Sequence, residues 1–154
     1  MDASLRTRSL RMVLLLAAAY LFTGIVFAAF SDGARTNAMH LLWRRLAWLV
    51  SGVGFAVHIL YGHFCLRNPP RATAMHASIA AALGAGGLAL AANVHEWTTA
   101  TTYRASIALS LLAWPLLTII PAFVAAFVAA VLLNQWWRHS DGQGSRVVRV
   151  RDRR

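Results

Sequence analysis

The side chains with which this chain could do chemistry are six histidines, one cysteine and five acids, set in a sequence that is 58% hydrophobic. The acids, Asp2, Asp32, Glu96, Asp141 and Asp152, fall outside the long apolar runs, whereas His58, His63 and His76 fall inside them. His40 and His95 lie at the edges. Arg67-Asn68-Pro69-Pro70-Arg71 separates the two histidine-bearing runs, and His63 and His76 stand four and five residues from its two arginines. His58 stands nine residues in. Imidazoles at matched depth on neighbouring helices can offer an iron its two axial nitrogens, one from each helix.

The pairs this suggests are His58 or His63 with His76 at one level and His40 with His95 at another. In histidine placement alone the layout is similar to the two-haem arrangement of membrane b-type cytochromes, which makes a b-type haem the cofactor alternative. Against it, nineteen residues separate His76 from His95, so the two are about 100° out of phase on a straight helix. No zinc motif is present, because neither His95-Glu96 nor His58 with His63 has the i, i+4 spacing and third ligand such a site needs. Hydrolysis lacks a nucleophile motif. A proton or substrate path through His58, with Ser51, Tyr61 and Asn93 as polar neighbours, is weakened by the lack of any Asp, Glu, Lys or Arg inside the apolar runs. Cys65 is alone and reads as a packing residue.

Only 13% of residues are charged, about half the share of soluble domains, and the apolar runs are long. Met12 to Phe30 is nineteen uninterrupted apolar residues, about 29 Å of helix, enough for a bilayer core. The basic start could open a signal peptide, but the run is too long for one and three more follow. Ser31-Asp32-Gly33 breaks it, and the segment to Arg45 reads as an interfacial loop with a helical lead-in from Met39 to Trp48. The expectation is an all-α integral membrane protein, a single four-helix bundle over residues 1–137 with helices at 12–30, 46–66, 73–94 and 105–133. The last run exceeds a bilayer core, and Pro115 and Pro121 free the carbonyls of Leu111 and Leu117, so a kinked helix is expected, with Thr118, water or a neighbour satisfying them. Residues 138–154 form a basic cytoplasmic tail without apolar periodicity, expected to be disordered.

Helix contacts are expected through small residues, which let membrane helices approach closely. Ser51, Gly54, His58, Gly62 and Cys65 share one face of the second helix, and His76, Ala80, Gly84, Gly87 and Ala91 one face of the third. Ser51, Gly54, Gly62, Gly84 and Gly87 are therefore the helix-packing candidates. These stripes face each other or another helix.

The net charge of +10 comes from fifteen arginines with no lysine. They form no stripe interleaved with aromatics, which argues against nucleic acid. Eleven lie before the first helix, in the proline turn or after the fourth helix; the remaining four, Arg35, Arg44, Arg45 and Arg104, lie at the other ends. By the positive-inside rule both termini are cytoplasmic. The arginine-only, alanine-rich composition suggests a GC-rich bacterial coding sequence and hence a bacterial inner membrane. The tail arginines would attract anionic lipid headgroups. The functional expectation is a non-enzymatic structural or accessory subunit, alone, as a homo-oligomer or in a larger membrane complex. The alternatives are a haem-binding redox subunit through His58, His63, His76, His40 and His95, or a small oligomeric transporter or channel subunit using His58, Asn93 and the Pro115/Pro121 kink.

Overall fold

The computed structural model describes the backbone of residues 3–99 and 105–151 and the side chains of 7–99 and 108–137. It is all-helical: α1 Ala3–Asp32, α2 Asn37–Phe64, α3 Pro70–Thr99 and α4 Ala105–Arg151. Each contains a stretch long and apolar enough to cross a membrane, Thr7–Asp32, Asn37–Phe64, Pro70–Thr99 and Ala108–Trp137.

Local chemistry sets the helix ends. Thr36, in extended geometry, caps α2 by accepting the Met39 amide on its hydroxyl at 3.3 Å. The helix therefore starts nine residues ahead of the expected Leu46, and the lead-in from Met39 to Trp48 is part of α2 rather than a separate piece. At the other end the amides of Leu66 and Asn68 turn back to the carbonyls of Tyr61 and Gly62, and Arg67 takes a φ of 49°. That left-handed residue reverses the chain. Pro70 opens α3, where its fixed φ suits the first turn and its missing N–H is no loss, and the Thr73 amide closes that turn on the Pro69 carbonyl at 3.1 Å.

α4 runs past the expected end at 133, its backbone helical to Arg151, with Pro115 and Pro121 inside it. No proline follows position 121, so nothing beyond it removes a backbone donor. Thr118 does not serve the carbonyls that the prolines free: its hydroxyl donates to Trp114 O at 2.7 Å, one turn back on its own helix. Pro115 instead lies over Gly86 of α3, where a Cβ would approach the proline ring to 3.3 Å.

The helices alternate in direction. Phe64 at the end of α2 meets Trp137 of α4 edge to face at 5.7 Å, while Phe30 at the end of α1 stacks on Trp43 of α2 at 4.9 Å. α3 is the central element: it packs most extensively on α4, next on α1, and least on α2. α1 also packs on α2, and among the described residues α1 and α4 do not touch. The α2–α3 hairpin is thus not a self-contained core, because α3 gives its broad faces to α4 and α1.

The core is built of small residues. Ala74, Ala77, Ala80, Ala126 and Ala130 are wholly buried, and Thr73 and Ser78 are the largest side chains to be so. Ile59, Ala74, Ala77 and Ala126 form its apolar centre, backed by Phe55, Phe123 and Phe127. The large apolar side chains point outward, as in Trp48 (80% exposed), Leu112 (70%) and Ile120 (68%).

Candidate functional site

Three groups of polar side chains are held between helices. The first is a seam at the proline-turn half of α1, α2 and α3. His58 is 5% exposed, and among the described residues no protein group pairs with its Nδ1. His76 of α3 is half-buried. His63 lies edge-on to Phe64, with ring centroids 4.9 Å apart.

The glycines of the α2 stripe show what lines this seam. One turn from His58 on one side, a Cβ at Gly54 would meet the Tyr20 ring of α1 at 3.7 Å. One turn away on the other side, a Cβ at Gly62 would lie 3.1 Å from Thr73 Cγ2. Tyr20 also backs onto Gly84 of α3, where a Cβ would sit 2.7 Å from its own Cβ. Gly87 faces Leu21, and Gly24 of α1 faces Leu88. The stripes of α2 and α3 therefore meet each other only toward the turn; farther along both close on α1. Ser51 is half-buried, and Gly52 has open space about it. The Tyr20 hydroxyl and Thr73 Oγ1 are, like His58 Nδ1, buried without a partner among the described residues. Neither residue stood out in the sequence, because single hydroxyls are common in apolar helices. The signal available was phase: Ala17, Tyr20 and Gly24 fall on one face of α1.

The second group lies at the far end, where α1 and α2 leave a cleft of about 380 Å³ lined by Ser31, Asp32, His40, Arg44 and Trp48 among others. The Ser31 hydroxyl and His40 Nδ1 share a hydrogen bond of 2.6 Å, whose proton sits on either atom according to tautomer. Nδ1 is also 3.2 Å from the Ser31 carbonyl. A serine–histidine contact is half of a nucleophilic pair; this one joins the last turn of α1 to the first turn of α2, beside Asp32 and Arg44 in the same cleft. It reads as a clip holding α1 and α2 across the 33–36 turn. His95 is exposed, and its carbonyl accepts from Thr98 and Thr99 at 3.0 and 2.7 Å.

The third group is Asn93, buried on α3, whose amide donates to Ala89 O at 2.8 Å and to Ser110 Oγ of α4 at 3.2 Å. It lies seventeen residues along α3 from His76, roughly 26 Å. Tyr61 is exposed and lies off the seam. An apolar cleft of about 860 Å³ between α2 and α4, lined by Phe55, Ile59, Leu60, Ala129, Leu132 and Trp136 among others, contains none of these polar groups. Among the described residues no three His, Cys, Asp or Glu side chains gather as a metal site would require. No protein-family model, no curated protein and no solved structure matches the chain.

Proposed function

We propose that this chain is a four-span protein of a bacterial cytoplasmic membrane, with both termini inside, that serves as a non-catalytic structural or accessory subunit. The observation that carries this reading is the inverted distribution of side-chain size: alanine, glycine and serine inside, leucine, valine and tryptophan outside. In water such a surface would aggregate, because contiguous apolar patches above a few hundred Å² drive association. In lipid it is solvated, while small residues give the close backbone approach that holds membrane helices together. Pro115 and Pro121 kink α4 within the bilayer, and the arginines beyond Trp137 rest on anionic headgroups.

Support for a non-catalytic role comes from the polar groups themselves. The serine–histidine pair clips α1 to α2, Asn93 is hydrogen-bonded within α3 and to α4, and glycines on either side of His58 let α1 and α3 approach closely. A haem between α2 and α3 would have to part those helices. Native mass spectrometry of the protein released from its own membranes tests the subunit reading. Recovery in a complex of fixed stoichiometry, with copies of itself or a second protein, is the expected result; a monomer that transports a solute on its own in liposomes would refute it. A visible spectrum of the same preparation decides the redox alternative, since a stoichiometric Soret band lost in His76→Ala would make the histidines axial ligands.

A further inference from the structure

The seam between α1, α2 and α3 leaves three buried polar atoms with no protein partner among the described residues: Thr73 Oγ1, His58 Nδ1 and the Tyr20 hydroxyl. Thr73 is 1% exposed and His58 5%, so bulk water does not satisfy them from outside the protein surface. Leaving a buried donor or acceptor unpaired costs the desolvation of that group, which a helix packing built from alanines and glycines is poorly placed to offset three times over. Their positions are also ordered. The α2 stripe Gly62, His58, Gly54 sets Thr73, the imidazole and the Tyr20 ring one turn apart, so the three groups span about 12 Å along the helix axis. Above Tyr20 the seam turns apolar, with Leu21 filling the space over Gly87 and Leu88 the space over Gly24. Below Thr73 it ends at the polar turn of Arg67, Asn68 and Arg71, where Asn68 Nδ2 is likewise buried without a partner.

We infer that this seam is an internal water site, a file of ordered waters that enters at the 65–69 turn, joins Thr73, His58 and Tyr20, and stops at the Leu21 and Leu88 layer. Water is the ligand these groups select. Two hydroxyls and a neutral imidazole can each donate or accept, which is what a bridging water with two to four partners requires, and the seam brings no carboxylate that would favour a metal cation. Closure at the leucines makes it a blind polar pathway open to the face that carries most of the arginines, not a through-channel.

The test is water-edited solid-state NMR on the full-length protein in liposomes, labelled at histidine, threonine, tyrosine and leucine, with His58→Leu and Thr73→Val assigning the signals. Magnetisation should pass from water to the His58 ring and to Thr73 within about twice the time needed for exposed His95, and should reach the Leu21 methyls several-fold more slowly. Slow transfer to His58 and Thr73 would mean a dry seam and overturn the inference, and fast transfer to Leu21 would overturn the closure. Stability gives an independent reading. If waters bridge these groups, Tyr20→Phe and Thr73→Val lower the unfolding midpoint; in a dry seam, removal of an unpaired hydroxyl raises it.

Discussion

At the residue scale, glycine positions in this fold differ sharply in what they tolerate. At Gly84 an added methyl would sit 2.7 Å from Tyr20 Cβ and 3.4 Å from the Ala17 carbonyl, both fixed by the α1 backbone. Gly84→Ala must push α1 away from α3 and should destabilise the protein by about 1–3 kcal/mol. At Gly52 nothing lies within 4 Å, so Gly52→Ala should be neutral or stabilising by up to about 1 kcal/mol through its helix propensity. Reversible unfolding in mixed micelles, run on both variants, separates the two cases; equal effects would mean that α1 does not pack as described. Thr36→Ala is a local test of a different kind. It removes the side-chain acceptor of the Met39 amide and should cost about 1 kcal/mol, with the loss of order confined to the first turn of α2.

At the element scale, much was legible and the omissions have a common cause. Four helices follow from four apolar runs and from breakers as explicit as Pro69-Pro70, and the matched depth of His63 and His76 about the turn was visible by counting. The start of α2 was missed because apolarity locates what lipid or core wants, while Thr36 and the amides it caps decide where the helix begins. Helix pairing was harder. A stripe of small residues says that something approaches closely without saying which helix does, so Gly84 and Gly87 pointed equally to α2 and to α1, and only the fold assigns them to Tyr20 and Leu21. Tyr20 and Thr73 stayed hidden for the same reason, since a polar atom in an apolar helix becomes notable only when its neighbours on other helices prove to be unpaired too. The α3–α4 contact offers a prediction at this scale. Gly86 accommodates the Pro115 ring, with a Cβ reaching it at 3.3 Å, so Gly86→Ala and Pro115→Ala should not act independently. Gly86→Ala alone crowds the ring and should destabilise by a few tenths to about 1 kcal/mol, and in the Pro115→Ala background that penalty should vanish. An unchanged penalty in the double variant would place the Pro115 segment of α4 elsewhere than over Gly86.

At the scale of the whole molecule, the fold and the charge pattern bear on topology separately. The aromatic contacts put the end of α2 beside Trp137 of α4 and the end of α1 beside the start of α2, so the helices alternate whatever surrounds them. Alternation leaves two possible insertions, and the arginines choose between them. Arg8, Arg11, Arg67 and Arg71 lie at one end of the bundle and Arg35, Arg44 and Arg45 at the other, so the first end should remain in the cytoplasm. Reporter fusions then have a definite pattern: fluorescent protein active after Leu66 and after Trp137, secreted phosphatase active in the 33–36 turn and in residues 100–104. The asymmetry can be pushed as well as read. Neutralising Arg67 and Arg71 together removes the arginines of the central turn, which should weaken retention of that turn without reversing the chain, because Arg6, Arg8 and Arg11 near the start and the arginines beyond Trp137 still hold both termini. A population with mixed reporter activity at Leu66 alone would fit that division of labour. Complete inversion would mean that the short Arg67–Arg71 turn, not the termini, sets the orientation of the whole bundle.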